Sequence, residues 1–211
     1  MIKMSSRKYK FGSIDIALVD QTEIDYGCCT WQSALIMADF IIDNKNLFVD
    51  KIVLEIGAGA ALPGILCSKI GCSVVLTDIE YKHEKMVYKT ALNNCKINRV
   101  DAKMDVLDWN SAFIGALDKF DRNVAILGSD VFFSSKDFNN ILSTISAILE
   151  ICPNSIFYSV YQIRSLSKNI KLINCIDKLG LVLKKDHFIA ENNESSFVVL
   201  EIARKSKEAS D

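Results

Sequence analysis

The chain has 211 residues, 50% of them hydrophobic and 24% charged, with a net charge of −1; this excludes charge-driven disorder and gives no sign of the basic surplus of a dedicated nucleic-acid binder. Nine glycines and two prolines exclude a collagen-like or linker composition. Cys28, Cys29, Cys67, Cys72, Cys95, Cys152 and Cys175 form no C-x-x-C pair, so they read as small buried hydrophobes in a reducing compartment rather than as a zinc site or disulfide framework.

The first eleven residues are polar and basic with no apolar stretch behind them, so no secretory signal is expected, and residues 1–10 read as a mobile tail, as do 205–211. An extended segment follows over 14–19, where apolar side chains alternate with a period of two. After a turn around Asp25, Tyr26 and Gly27, Thr30 is the expected cap of a helix with Leu35, Ala38 and Ile42 on one face. The apolar run 34–42 is broken by Asp39 and falls far short of the ~18 residues of a membrane span.

Ile52, Val53 and Leu54 make a short core strand ending at Glu55-Ile56-Gly57. A helix over 61–70 stops at Gly71. Val74, Val75 and Leu76 make the next strand, which ends at Asp78, and a helix carrying Val87, Ala91, Leu92 and Cys95 comes after it. A weaker strand lies near 100–104 and another apolar run at 124–127. The clearest helix has Phe138, Ile141, Leu142, Ile145, Ile148 and Leu149 as its stripe, with Ser134 or Ser135 as cap, Asp137 completing an approximate capping box, and Pro153 beyond its end. A strand at 156–161, a helix lined by Leu172, Ile176 and Leu179 and ended by Gly180, and strands at 181–183 and 197–202 complete the pattern.

Short Val/Ile/Leu runs alternating with helices predict parallel strands covered on both faces, and a terminal strand pair without a helix between them predicts antiparallel pairing. The expected fold is α/β: a doubly wound, mostly parallel, Rossmann-like sheet of about seven strands with an antiparallel last strand. Residues 1–50 are expected as a small N-terminal extension packed on the core, 51–204 as the main domain and 205–211 as a tail.

The most informative stretch is 53–64, where a strand runs into Gly57-Ala58-Gly59 and then into a helix. In open parallel sheets, ligands bind beyond the carboxyl ends of the strands, where glycines let the backbone turn tightly and approach closely. The third position of the dinucleotide fingerprint is Leu62 rather than glycine, and no Gly-Lys-Ser/Thr follows, so phosphate binding is disfavoured. Asp78 ends the next strand, 21 residues after Gly57, where an acidic side chain accepts ribose hydroxyls; the plainer alternative is a helix cap. A nucleoside ligand without a phosphate-binding glycine points to S-adenosylmethionine rather than NAD.

At these residues the chain resembles a known family. Leu54-Glu55-Ile56-Gly57-Ala58-Gly59 with Leu62-Pro63-Gly64 is similar to motif I of the seven-strand, class I S-adenosylmethionine-dependent methyltransferases, and more narrowly to the group that methylates proteins, often on lysine. Tyr26-Gly27 with Trp31-Gln32-Ser33-Ala34 resembles that group's Trp-Pro-x-Ala element, with Gln32 in place of proline. Leu107-Asp108-Trp109 matches its tryptophan before the fourth strand, and Gly128-Ser129-Asp130-Val131-Phe132-Phe133 its Asp-x-x-Tyr/Phe motif. The runs at 129–142 and 159–165 resemble a branch associated with arginine methylation of histone H3 and with nucleus and cytoplasm.

The resemblance implies S-adenosyl-L-methionine as cofactor and a protein substrate, with a histone or a chaperone-type protein among the candidates; from the near-neutral charge and the short apolar runs, no nucleic-acid or membrane partner is expected. It implies that Gly57, Ala58 and Gly59 cradle the methionine part with Trp31 beside it, that Asp78 binds the ribose, that Trp109 lies on the adenine, that Ser129 lines the pocket and that Glu55 organises the loop. The reaction needs alignment, exclusion of water and an acceptor able to attack, and a guanidinium acceptor needs a carboxylate to orient it. Asp130, at the carboxyl edge of a core strand, is the best such carboxylate, with helix capping as its alternative. Phe132, Phe133 and Tyr161 are candidate aromatic walls of the acceptor channel, although each alone is more often core. Gln162 and Arg164 read as braces of the site or as solvated residues, and Glu191 to Glu194 as a polar turn. His83 and His187 have no nucleophile at a recognisable spacing, which disfavours a hydrolase triad. A non-catalytic cofactor-binding subunit and a nicotinamide-dependent oxidoreductase remain the competing readings.

Overall fold

The computed structural model of the chain describes residues 5–20, 28–79, 86–109, 123–192 and 195–205. Its elements are β1 (Ser5–Phe11), β2 (Ile14–Asp20), α1 (Gln32–Asp43), β3 (Ile52–Ile56), α2 (Leu62–Lys69), β4 (Ser73–Asp78), α3 (Met86–Ile97), β5 (Lys103–Val106), β6 (Val124–Ser129), α4 (Phe138–Ile151), β7 (Ile156–Ile163), α5 (Leu166–Lys178), β8 (Leu181–Asn192) and β9 (Ser195–Arg204). The main sheet has seven strands in the order β5-β4-β3-β6-β7-β9-β8. Its strands are parallel from β5 through β7, and β9 runs antiparallel to both of its neighbours. This is the doubly wound α/β sheet expected from the sequence.

The strand sequences show why both faces are covered. Val53 joins the apolar layer beneath α1, α2 and α3, while Leu54 and Ile56 face the layer beneath α4 and α5. Along β6, Ala125 and Leu127 go to the first layer and Val124 and Ile126 to the second. Successive side chains of a strand point to opposite faces, so a strand buried on both sides is apolar throughout. The six-residue stripe of α4, Phe138, Ile141, Leu142, Ile145, Ile148 and Leu149, is fully buried, at about 1.5–3 kcal/mol per large side chain.

The structure corrects several local expectations. Part of the supposed N-terminal tail is a strand: β1 pairs with β2 along its length, and Phe11 joins the core. The cap of α1 is Trp31, which gives no side-chain cap bond, and the Thr30 hydroxyl donates to Asp20 Oδ1 at 2.8 Å rather than capping the helix. The capping box before α4 does not form; Asp137 occupies the cap position, and Ser134 Oγ accepts from the Lys136 N–H at 3.4 Å. β8 extends far beyond residues 181–183, because Lys184, Lys185 and Asp186 interrupt the apolar pattern on a sheet-edge strand without ending its pairing to β9. Tyr26, Gly27, His83, Asn193 and Glu194 lie outside the described residues.

Two asparagines of α3 fasten the β1–β2 hairpin to the sheet. Asn98 accepts from the Ala17 N–H at 3.0 Å and donates to the Ala17 carbonyl at 2.7 Å. Asn94 accepts from the Val19 N–H at 2.8 Å and donates to the Ala60 carbonyl at 3.0 Å. Spaced four apart, they lie on one helix face and satisfy the outer edge of β2 as a neighbouring strand would. Asn94 thereby ties the hairpin to the glycine loop.

Strand order reverses at β3, which has β4 on one side and β6 on the other. The carboxyl ends of these three strands therefore open side by side, at the switch point where such sheets bind ligands.

Candidate active site

A cavity of about 620 Å³ occupies this switch point. β3 leaves the sheet at Ile56, and Gly57, Gly59 and Ala61 take left-handed backbone angles of +61°, +53° and +64°. A Cβ on Gly57 would lie 3.2 Å from Val131 Cγ1 and 3.3 Å from Trp109 Cζ2, so both the backbone angle and the close walls call for glycine. Ala58 N–H donates to the Thr77 carbonyl at 3.0 Å, which holds the loop against β4.

Asp78, at the end of β4, accepts from Gly59 N–H at 2.8 Å through Oδ2 and from Ile79 N–H at 2.8 Å through Oδ1. It anchors the glycine loop and lines the cavity. Glu55 lies deeper, 1% exposed, and its Oε2 accepts from Gly64 N–H at 2.9 Å. Burial pushes the Glu55 carboxyl up to about 8, with the Asp78 charge adding to the rise and the Gly64 hydrogen bond opposing it. Glu55 thus braces the start of α2, in keeping with the loop-organising role the resemblance implies.

Trp31 reaches the rim because its loop is tied down. Asp20, 1% exposed, accepts from both the N–H and the hydroxyl of Thr30, at 3.1 and 2.8 Å, and Arg7 Nε stands 3.5 Å from its other oxygen. Trp31, Gly57, Ala58, Gly59, Asp78, Trp109 and Ser129 all line the one cavity. Two buried polar atoms of these residues, Trp109 Nε1 and Ser129 Oγ, have no partner among the described residues. Buried polar groups are normally paired, so these atoms fit a ligand that is itself polar. Glycine backbone, a ribose-type carboxylate, an indole and a hydroxyl on adjoining strand ends suit the nucleoside and amino-acid parts of S-adenosylmethionine.

The other side of the cavity is lined by Asp130, Val131, Phe133, Asp137, Asn140 and Arg164. Asp130 follows β6 in a left-handed conformation, φ +56°, with its N–H donating to the Val160 carbonyl at 2.9 Å. Its carboxylate, expected to receive an incoming cation, is gripped by Arg164: Nη1 donates to Oδ1 at 2.9 Å and Nη2 to Oδ2 at 2.6 Å. Such a two-point fork is the strongest carboxylate–cation geometry available to side chains. Phe133 is 54% exposed at the rim, as a channel wall requires.

Tyr161 is not among the cavity-lining residues. It is 2% exposed in the apolar layer beneath α4 and α5, and its hydroxyl donates to Asn169 Oδ1 at 2.8 Å. Burial pushes its hydroxyl up, with Arg164 opposing and Asp130 adding to the effect. His187 contacts Glu201 at 2.6 Å across the β8–β9 pair, away from the cavity. None of the seven cysteines is in a disulfide, and all but Cys29 are buried. The sequence reasoning missed Asp137 and Asn140 as cavity residues; their spacing of three, on the first turn of the helix that follows Asp130, was the available signal.

The sequence profile of a family described as lysine methyltransferase matches residues 10–178. The histone-arginine methyltransferase METTL23 of Xenopus laevis is 32% identical over 161 residues, covering 76% of this chain and 68% of the relative. The mouse protein-lysine N-methyltransferase EEF2KMT is 26% identical over 169 residues, covering 74% of this chain and 50% of the relative. Among solved structures, magnesium protoporphyrin IX methyltransferase from Synechocystis, with bound S-adenosylmethionine, superposes with a TM-score of 0.59 at 15% identity, over 82% of this chain and 79% of that one.

Proposed function

Because this chain belongs to the lysine methyltransferase family of S-adenosylmethionine-dependent protein methyltransferases, we propose that it methylates an arginine side chain of a protein, with histone H3 as the first candidate. The observation that carries this reading is the meeting of two unlike walls in one cavity. One wall is the glycine loop with Asp78, Trp109 and Ser129; the other is a rim of carboxylates beside the exposed Phe133 ring.

When bound, S-adenosylmethionine supplies a methyl group on a cationic sulfur, open to in-line displacement by a nitrogen lone pair. The chain's task is to hold and align both partners and to exclude water. Gly57, Ala58 and Gly59 offer backbone at close range, Asp78 offers its carboxylate to paired hydroxyls, and Trp109 offers a flat apolar face with a free N–H. On the acceptor side, a guanidinium stays charged at all relevant pH values, so carboxylates must orient it, and the Phe133 ring gives it a face to lie on. The Asp130–Arg164 fork demonstrates in the chain itself a guanidinium paired to a carboxylate at this rim. The 32% identity to METTL23 of Xenopus laevis, named a histone-arginine methyltransferase, supports the same acceptor. A histone acceptor carries a location with it, the nucleus as well as the cytoplasm.

A lysine acceptor is the second reading, favoured by the family's description and by the similarity to EEF2KMT. The test is transfer of a radiolabelled methyl group to core histones and to a cell-extract panel, with tandem mass spectrometry assigning the modified residue. Methylarginine supports the proposal and methyllysine replaces it with the second reading. Cofactor binding without transfer to any protein leaves a non-catalytic subunit.

A further inference from the structure

We infer that the carboxylate which receives the substrate's guanidinium is Asp137, at the start of α4, while Asp130 is held by Arg164 as a fixed part of the wall. This rests on the arginine-methylation reading above and names the residue that recognises the acceptor.

Three observations lead to it. First, the Asp130 carboxylate is already satisfied. Both of its oxygens accept from Arg164, at 2.9 and 2.6 Å, and the two side chains are only 14% and 25% exposed. Freeing it for a second guanidinium would leave Arg164 largely buried without its counter-charge, a costly exchange, and the incoming cation would approach a like charge already in place. Second, Asp137 lines the same cavity, and no side-chain hydrogen bond or ion pair engages its carboxylate among the described residues. As the α4 cap residue it makes no side-chain cap bond, so its oxygens are not spent on the helix either. Third, its neighbours on the cavity wall complete a recognition surface. Asn140 lies three residues on along α4, and the ring of Phe133 is exposed four residues before Asp137. A carboxylate to fork with the guanidinium and a ring for its face are the two features such a group requires.

Arg164 then acts as a positioning residue. Its fork fixes Asp130 in a left-handed backbone conformation that a non-glycine residue rarely holds. It also keeps a positive charge beside the acceptor, so the substrate cation is directed to the unpaired carboxylate.

The experiment measures binding, with S-adenosylhomocysteine saturating, of a fluorescent histone H3 N-terminal peptide and of the same peptide with each arginine replaced by citrulline, its neutral counterpart. Wild-type protein should prefer the arginine peptide. Asp137→Asn should weaken that peptide about tenfold or more and erase the preference, the scale expected for one charge-assisted pair. S-adenosylhomocysteine affinity should stay within twofold. Asparagine caps helices as well as aspartate does, so the variant should keep its fold, and Asp137→Glu should restore part of the preference. An arginine preference undiminished in Asp137→Asn overturns the inference and leaves the arginine reading standing. So does loss of the preference in a folded Asp130→Asn variant while Asp137→Asn behaves as wild type. Wild-type protein that binds S-adenosylhomocysteine without preferring arginine over citrulline contradicts the arginine reading, and this inference with it.

Discussion

The backbone N–H of Gly64 donates to Oε2 of Glu55 at 2.9 Å, joining the first turn of α2 to the strand beneath it inside the protein. A Cβ at residue 64 would collide with Leu76 Cδ2 and stand 2.6 Å from Glu55 Oε2. The close approach of α2 to the sheet, which sets the position of the glycine loop, therefore depends on the missing side chain.

Gly64→Ala puts two effects in opposition. Alanine is the better helix former by about 1 kcal/mol. The added methyl meets one movable apolar side chain and one buried carboxyl, an overpacking that costs typically about 1–3 kcal/mol. The clash should win, with a net loss of stability in urea unfolding and weakened S-adenosylhomocysteine binding as α2 shifts outward.

Glu55 should give stability a particular dependence on pH. Its folded carboxyl titrates at about 8, against an ordinary value of 4.5. Between these values the folded state holds a proton that the unfolded state has released. The Glu55 contribution to stability is therefore greatest below the ordinary value, falls as pH rises towards about 8, and levels off above it. The slope approaches one proton, about 1.4 kcal/mol per pH unit. Glu55→Gln keeps an acceptor for Gly64 N–H and should flatten this dependence, as unfolding midpoints across the window will report.

The sequence made the cofactor side of this cavity legible because a parallel sheet sends its strand ends to one edge. Once 52–54, 74–76 and 124–127 are read as parallel strands, Gly57, Asp78 and Ser129 fall just beyond their carboxyl ends and must converge, whatever the details of the turns. Pairings distant in sequence were not legible. The sequence offers Arg164 as a brace or a solvated residue and names no partner for it, because Asp130 lies 34 residues away and meets it only across adjoining strand ends. Residues 1–10 read as a tail because Ser5-Ser6-Arg7-Lys8 is polar, and the pairing of β1 becomes visible only against β2. Thr30 reads as a helix cap from its position, but its hydroxyl donates to the buried Asp20 instead.

Tyr161 separates a wall of the channel from a support behind it. Its hydroxyl serves Asn169 of α5 rather than the cavity. Tyr161→Phe should cost about 1 kcal/mol of stability, the usual net worth of one hydrogen bond. Methyl transfer measured well below the melting temperature should be unchanged.

Asn98→Ala tests the fastening of the hairpin. It removes the partners of both the N–H and the carbonyl of Ala17. The expected loss is about 1–3 kcal/mol, accompanied by faster amide exchange in β2, measured by hydrogen–deuterium exchange.

The assignment of the S-adenosylmethionine pocket to the glycine loop, Asp78 and Trp109 is open to a binding measurement. Isothermal titration of S-adenosylmethionine into wild-type protein, Asp78→Ala and Trp109→Ala tests it most directly. The wild type should show a single site, weakened about tenfold or more by the loss of the Asp78 carboxylate and clearly weakened by the loss of the Trp109 ring. Binding of equal strength in all three proteins, or binding of NAD where S-adenosylmethionine does not bind, would contradict it.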